Sequence, residues 1–90
     1  DNPAIRALHG GVIAAFLELA MQSELRANGH TPEATVNVTI DYVASSRAED
    51  MTARVKVNRI GRRLAFLEAE GFQADGARLV AIARACLKLS

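Results

Sequence analysis

The residue best suited to chemistry is Glu18, a carboxylate inside the otherwise apolar segment from Val12 to Met21. Burying an unpaired carboxylate costs on the order of several kcal/mol, so a fold retains one only with a partner or a use. In a dry site such a group is suited to act as a general base or a nucleophile. A position on a helix edge, with the carboxylate in water or paired with an arginine, explains it equally well.

Paired glycines, Gly10 and Gly11, follow His9 and come directly before this apolar segment. Glycine lets another molecule approach the backbone closely, and the first N–H groups of a helix attract a carbonyl oxygen or an oxyanion. The Gly11 N–H is therefore a candidate for polarising a carbonyl. A simple turn from a loop into a helix is the alternative.

Two periodicities define the elements that must position these residues. From Gly11 to about Asn28 the composition favours helix, and Gly29 is placed as its C-terminal stop. After Thr31-Pro32, apolar and polar residues alternate, which predicts strands over 35–43, 52–60, 63–72 and 78–89. This order predicts an α+β fold, with one long helix packed on an antiparallel sheet of about four strands.

The first predicted strand shows the clearest alternation. One face carries Val36, Val38, Ile40 and Tyr42, and the other carries Thr35, Asn37, Thr39 and Asp41. Asp75-Gly76 predicts a two-residue hairpin turn before the last strand.

Composition excludes several classes of function. The chain has 90 residues, enough for one domain, and 11 basic against 10 acidic residues leave a net charge of +1. No broad basic surface for nucleic acid or anionic membrane is expected. The single cysteine, Cys86, and two scattered histidines give neither an intramolecular disulfide nor a zinc site, so we expect no metal and a reducing, cytoplasmic location. The apolar run containing Glu18 is too short to span a membrane.

The segment from His9 to Met21 resembles the signature of hotdog-fold acyl-CoA thioesterases of the phenylacetate-pathway and 4-hydroxybenzoyl-CoA thioesterase type. In that family His-Gly-Gly opens the central helix and an Asp or Glu follows nine positions after the His, as Glu18 does here. The likeness continues through 38–43, 59–63 and 74–76. The family's Arg-Pro-Ala-x-x-Gly-Asp turn reads Ala-Ser-Ser-Arg-Ala-Glu-Asp here, at 44–50.

The resemblance implies a single hotdog thioesterase domain over residues 1–90, with four to five strands and without the family's N-terminal helix and first strand. It implies hydrolysis of a small, aromatic or medium-chain acyl-CoA, with Glu18 as base or nucleophile, Gly11 polarising the carbonyl and Thr35 orienting the water. No bound cofactor is required, because coenzyme A is part of the substrate. The residues implied to bind the substrate are Asn2, His9, Gly10, Arg47, Gly61, Arg62 and Arg63.

The spacing of Gly11 and Glu18 adds a prediction about assembly. Seven residues place them on one helix face but roughly 10 Å apart, whereas both groups must approach one carbonyl to within about 3 Å. Two antiparallel helices would bring Gly11 of one subunit near Glu18 of another, so we expect a homodimer or a homotetramer. The alternative functions are a hotdog enoyl-CoA hydratase or dehydratase, and a non-catalytic acyl-CoA-binding module.

Overall fold

The computed structural model describes residues 3–44, 50–74 and 76–90, with the side chains from residue 11 onward. It contains one helix followed by four strands, which confirms the predicted α+β fold. The antiparallel sheet has the strand order β1-β4-β3-β2. The elements are α1 (Pro3–Ala27), β1 (Pro32–Tyr42), β2 (Thr52–Ile60), β3 (Leu64–Gln73) and β4 (Arg78–Leu89).

The helix ends as predicted but begins earlier. At its C-terminus the His30 N–H donates to the Leu25 carbonyl over 2.9 Å and the Gly29 N–H donates to the Arg26 carbonyl over 3.0 Å. Gly29 has a φ of 84°, so these residues form a Schellman motif.

The prediction that the helix begins at Gly11 was wrong, because α1 begins at Pro3. Proline suits the first turn of a helix, where its missing N–H would have no partner in any case. The alanines and leucine that follow favour helix, and a glycine inside a helix costs only about 1 kcal/mol relative to alanine. Gly10 and Gly11 therefore weaken the helix without ending it.

The core lies between one stripe of α1 and one face of the sheet, called here the inner face. The stripe consists of Ile13, Leu17, Met21 and Leu25, spaced four residues apart and all buried. The inner face is rich in alanine, which lets the helix lie close to the strands. Its buried residues include Ala65, Leu67, Ala69, Ala81, Ala83, Ala85, Leu87 and Leu89.

Gly71 marks a close approach of helix and sheet. A Cβ at this position would lie 3.3 Å from the Leu17 side chain and 3.2 Å from the Met51 sulfur, tighter than ordinary packing. Leu17 therefore lies over the Gly71 end of β3. The C-terminus of the helix connects through Thr31 to Pro32, which pairs with Leu89, so it lies near the opposite end of the sheet. Within the described ranges, no helical stretch is long and apolar enough to cross a membrane.

Candidate active site

Glu18 and Thr35 meet in the structure. The Thr35 hydroxyl Oγ1 donates a hydrogen bond of 2.5 Å to Oε1 of Glu18, between side chains that are both half-buried. In the described part of the chain, the other carboxylate oxygen, Oε2, accepts no hydrogen bond. The pair joins α1 to β1 and holds one oxygen of the carboxylate while leaving the second available to a ligand.

A β-bulge brings Thr35 to this position. The alternation predicted Thr35 on the polar face with Asn37, but the register shifts between Thr35 and Asn37, which pair with the neighbouring residues Leu87 and Cys86 of β4. Because Leu87 belongs to the inner face, Thr35 points toward the helix, and Val36 is the extra residue. The prediction that Thr35 lies on the polar face of β1 was therefore wrong. Its proximity to Glu18 agrees with the role that the resemblance implies.

Gly11 lies apart from this pair. It belongs to the same continuous helix as Glu18, so the two residues are separated by roughly 10 Å along the axis. Eight residues beyond the helix start, the Gly11 N–H is not among the first four that lack an intrahelical acceptor. Apart from Gly11 itself, its two chain neighbours and the adjoining helix backbone, no described atom lies within 4 Å of a Cβ built at Gly11, so packing within the chain does not demand a glycine there.

The predicted phosphate-binding turn, Gly61-Arg62-Arg63, lies at the Thr35 end of the sheet. Backbone pairing connects Thr35 to Leu87, Leu87 to Ala65 and Ala65 to Ile60, the residue before the turn. Three strand spacings, about 14 Å, therefore separate Thr35 from Ile60 across the sheet. Within the turn, the Gly61 N–H donates to the Leu64 carbonyl over 2.8 Å.

This turn borders an open depression of about 480 Å³. Arg59 and Phe66, which pair across β2 and β3, contribute to it from the face of the sheet turned away from the helix. Arg59 was not among the residues predicted to bind the substrate. The signal that could have indicated it was a third arginine only three residues before Arg62. The complete lining is Arg59, Gly61, Arg62, Arg63, Leu64 and Phe66.

The remaining candidates are less informative. Asn2 and Arg47 lie outside the described residues, and His9 and Gly10 are part of the backbone of α1. Asp75 of the predicted hairpin also lies outside them, although Gly76 has a φ of 86° and the Ala77 N–H donates to the Ala74 carbonyl, as a tight turn requires. The described residues contain no cluster of three His, Cys, Asp or Glu side chains that could hold a metal ion.

The chain belongs to the thioesterase superfamily, whose family model matches residues 6–80. This match confirms the resemblance found in the sequence. Among curated proteins, none matches the chain significantly.

Solved structures support the same fold. A protein from Chromobacterium violaceum is 32% identical, with a TM-score of 0.74 over 91% of this chain and 62% of its own. A protein from Bacillus halodurans, solved with CoA, is 22% identical, with a TM-score of 0.84 over 100% of this chain and 60% of its own. A phenylacetic acid degradation-related protein from Ralstonia eutropha is 24% identical, with a TM-score of 0.78 over 88% and 60%. This chain therefore spans about three fifths of the length of these proteins.

Proposed function

We propose that the protein is an acyl-CoA thioesterase that hydrolyses a small, aromatic or medium-chain acyl-CoA, with Glu18 as general base or nucleophile. The observation that carries this proposal is the half-buried Glu18 carboxylate, held by Thr35 through one oxygen. Membership of the thioesterase superfamily supports the reaction class. The Bacillus halodurans protein solved with CoA has the same fold, which supports coenzyme A as part of the substrate.

The chemistry requires little beyond this carboxylate. In the water-mediated route, Oε2 of Glu18 takes a proton from water while the water oxygen attacks the thioester carbonyl carbon. The tetrahedral intermediate then expels the coenzyme A thiolate, which takes up a proton as the C–S bond breaks. In the covalent route, Oε2 attacks the carbonyl carbon, the C–S bond breaks, and the coenzyme A thiolate leaves and takes a proton from solvent. Water then cleaves the resulting anhydride, which releases the acyl acid and restores the Glu18 carboxylate.

A second copy of the chain completes the proposed site. The side of the molecule formed by α1 and the edge strand β1 exposes large apolar side chains that one chain leaves uncovered. They are Val12 and Leu19 on the helix, and Val36, Val38, Tyr42 and Val43 on or beside β1. Two copies joined along this side, with antiparallel helices, place Gly11 of one chain beside Glu18 of the other.

Polarisation of the carbonyl by Gly11 requires a shorter helix than the isolated chain has. The Gly11 N–H becomes free once at least residues 3–7 leave the helix, because it is then among the first four N–H groups. Two glycines at this point lower the cost of such unwinding, since each disfavours helix by about 1 kcal/mol relative to alanine. The same rearrangement would give the proposed site a helix N-terminus aimed at the carbonyl oxygen.

Thr35 is proposed as a positioning residue for Glu18. We expect Thr35→Val, which keeps the volume but removes the hydroxyl, to lower kcat about tenfold with little change in KM, because a freely rotating carboxylate is seldom oriented for attack. Thr35→Ser is the matched control, because it keeps the donor. Steady-state thiol release by both variants is the measurement, and equal losses in the two would contradict the proposed role of the hydroxyl, because Thr35→Ser keeps it.

Arg62 is proposed to bind a phosphate of coenzyme A at the turn beyond β2. We expect Arg62→Glu to raise KM about tenfold while kcat changes little, since the phosphates lie far from the reacting carbonyl. Arg26→Glu, with the same charge change on the exposed last turn of α1, provides the control. An unchanged KM for Arg62→Glu would remove this residue from the substrate site.

One substrate distinguishes hydrolysis from the hydratase alternative. Crotonyl-CoA can lose its acyl group, which releases a free thiol, or add water across its double bond, which removes the absorbance of the conjugated thioester. The proposal predicts release of thiol with the acyl double bond intact. Hydration without thiol release would assign the chain to the hydratase class instead.

A further inference from the structure

Gln22 lies one helical turn beyond Glu18 on the same face of α1. Ala14, Glu18 and Gln22 are spaced four residues apart, so they form a row on one flank of the buried stripe, and all three are half-buried. The hydrogen bond from Thr35 to Glu18 shows that this flank faces β1. In the part of the chain that the structure describes, the Gln22 side chain makes no hydrogen bond, so its donors and its acceptor are available to a ligand.

One end of this row points toward the turn proposed to bind phosphate. The Arg63 carbonyl, in that turn, accepts a hydrogen bond of 2.7 Å from the Leu89 N–H. Leu89 pairs with Pro32, where β1 starts after the helix has ended. The turn and the C-terminus of α1 therefore lie at the same end of the sheet. Within the row, Gln22 is on this side of the carboxylate and Ala14 is on the other.

The two halves of an acyl-CoA differ in polarity in the same sense. The pantetheine arm between the thioester sulfur and the phosphates carries amides, the nearest of them two carbon atoms from the sulfur, whereas small acyl groups are mostly apolar. An amide side chain matches an amide, because each provides N–H donors and a carbonyl acceptor. Gln22 lies about 6 Å along the helix from Glu18, a distance that suits an amide separated from the reacting carbonyl by the sulfur and two carbons. The small side chain of Ala14 leaves room for an apolar group on the other side.

We propose that Gln22 hydrogen-bonds the pantetheine amide nearest the thioester, so that the coenzyme A arm leaves Glu18 toward the C-terminus of α1 and the acyl group lies on the Ala14 side. The inference rests on the proposed thioesterase function and adds the orientation of the substrate along the helix. It makes Gln22 a determinant of specificity for the thiol half and Ala14 a determinant for the acyl half.

Four small thioesters test this orientation. They combine an acetyl or a benzoyl group with N-acetylcysteamine, which keeps the nearest pantetheine amide, or with pentane-1-thiol, which has the same chain length without the amide. We expect Gln22→Met to lower kcat/KM about tenfold for both N-acetylcysteamine thioesters and to leave both pentyl thioesters within about twofold of wild type, because methionine fills the space but cannot replace the hydrogen bond. Comparing variant with wild type on each thioester cancels the different intrinsic reactivities of the two thiols.

Ala14→Leu provides the reciprocal measurement. We expect it to lower kcat/KM for the benzoyl thioesters at least about tenfold more than for the acetyl thioesters, with either thiol, because the leucine side chain occupies the acyl side. Ala14→Val is a smaller step in the same direction and replaces Ala14→Leu if circular dichroism shows that the latter does not fold. Glu24→Met is the matched control, because Glu24 is half-buried on the opposite flank of α1, and all four values should stay within about twofold of wild type.

Several results would overturn the proposal. One is a wild type that cleaves acyl-CoAs but shows no preference for N-acetylcysteamine thioesters over pentyl thioesters. Another is an equal effect of Gln22→Met on the two thiols, which would indicate a structural role for this side chain. A changed acyl preference in Gln22→Met, or a changed thiol preference in Ala14→Leu, would contradict the orientation. Failure of the proposed function is a different outcome, since wild type would then release thiol from no acyl-CoA above the background rate.

Discussion

Replacing Glu18 by glutamine is expected to lower kcat for thiol release by at least about 10³-fold, because a neutral amide neither takes a proton from water nor attacks a thioester. Glutamine keeps the shape of the side chain, and its amide oxygen can still accept a hydrogen bond from the Thr35 hydroxyl. The loss should therefore fall on kcat while the fold and substrate binding are retained. The measurement is steady-state hydrolysis with a thiol-reactive dye, on the acyl-CoA that the wild type cleaves fastest.

Glu24→Gln is the matched control for this substitution. Glu24 is on the same helix and half-buried, and its side chain accepts a hydrogen bond from Asn28 over 3.3 Å, but it has no proposed role in the reaction. We expect its activity to stay within about twofold of wild type, as for most substitutions away from the reacting groups. If Glu18→Gln and Glu24→Gln were equally active, Glu18 would be a structural carboxylate and the proposed mechanism would fail.

A heterodimer of Gly11→Leu and Glu18→Gln chains should recover about half of the wild-type activity per dimer, whereas each parent should be at least about 100-fold less active than wild type. Leucine favours helix, and the open space around Gly11 in the single chain accepts its Cβ, so the variant should fold. The leucine side chain would block the substrate site beside Glu18 of the neighbouring chain. In the heterodimer, one shared site combines an intact Gly11 with an intact Glu18, and the other site loses both.

Purification with two different affinity tags isolates the heterodimer for this measurement. A dimer of two differently tagged Glu18→Gln chains is the control and should remain inactive. If the mixed dimer were no more active than its parents, each site would be built within one chain, and the shared site would be excluded.

The sequence was sufficient for the framework of the fold. Alternation predicted all four strands, because each has one face on an apolar core and one face in water. Gly29 marked the end of α1 correctly, since a Schellman motif favours glycine at that position. The family resemblance from His9 to Met21 predicted the superfamily that the chain matches.

Two details of the site could not be predicted from the sequence, for different physical reasons. The start of α1 was misplaced because glycine only weakens a helix, and the residues before Gly10 favour helix strongly enough to extend it. The face of Thr35 was misplaced because a β-bulge inserts one residue into a strand, and strict alternation carries no mark of it. The hydrogen bond between Thr35 and Glu18 follows from that bulge.

The central claim is that this chain releases the thiol of an acyl-CoA through Glu18. The most direct measurement is thiol release from a panel of short-chain, medium-chain and aromatic acyl-CoAs, by wild type and Glu18→Gln at equal concentration. The account predicts that wild type cleaves at least one of these thioesters well above the uncatalysed rate and that Glu18→Gln does not. Thiol release by wild type at the background rate across the whole panel would contradict it and would favour an acyl-CoA-binding module.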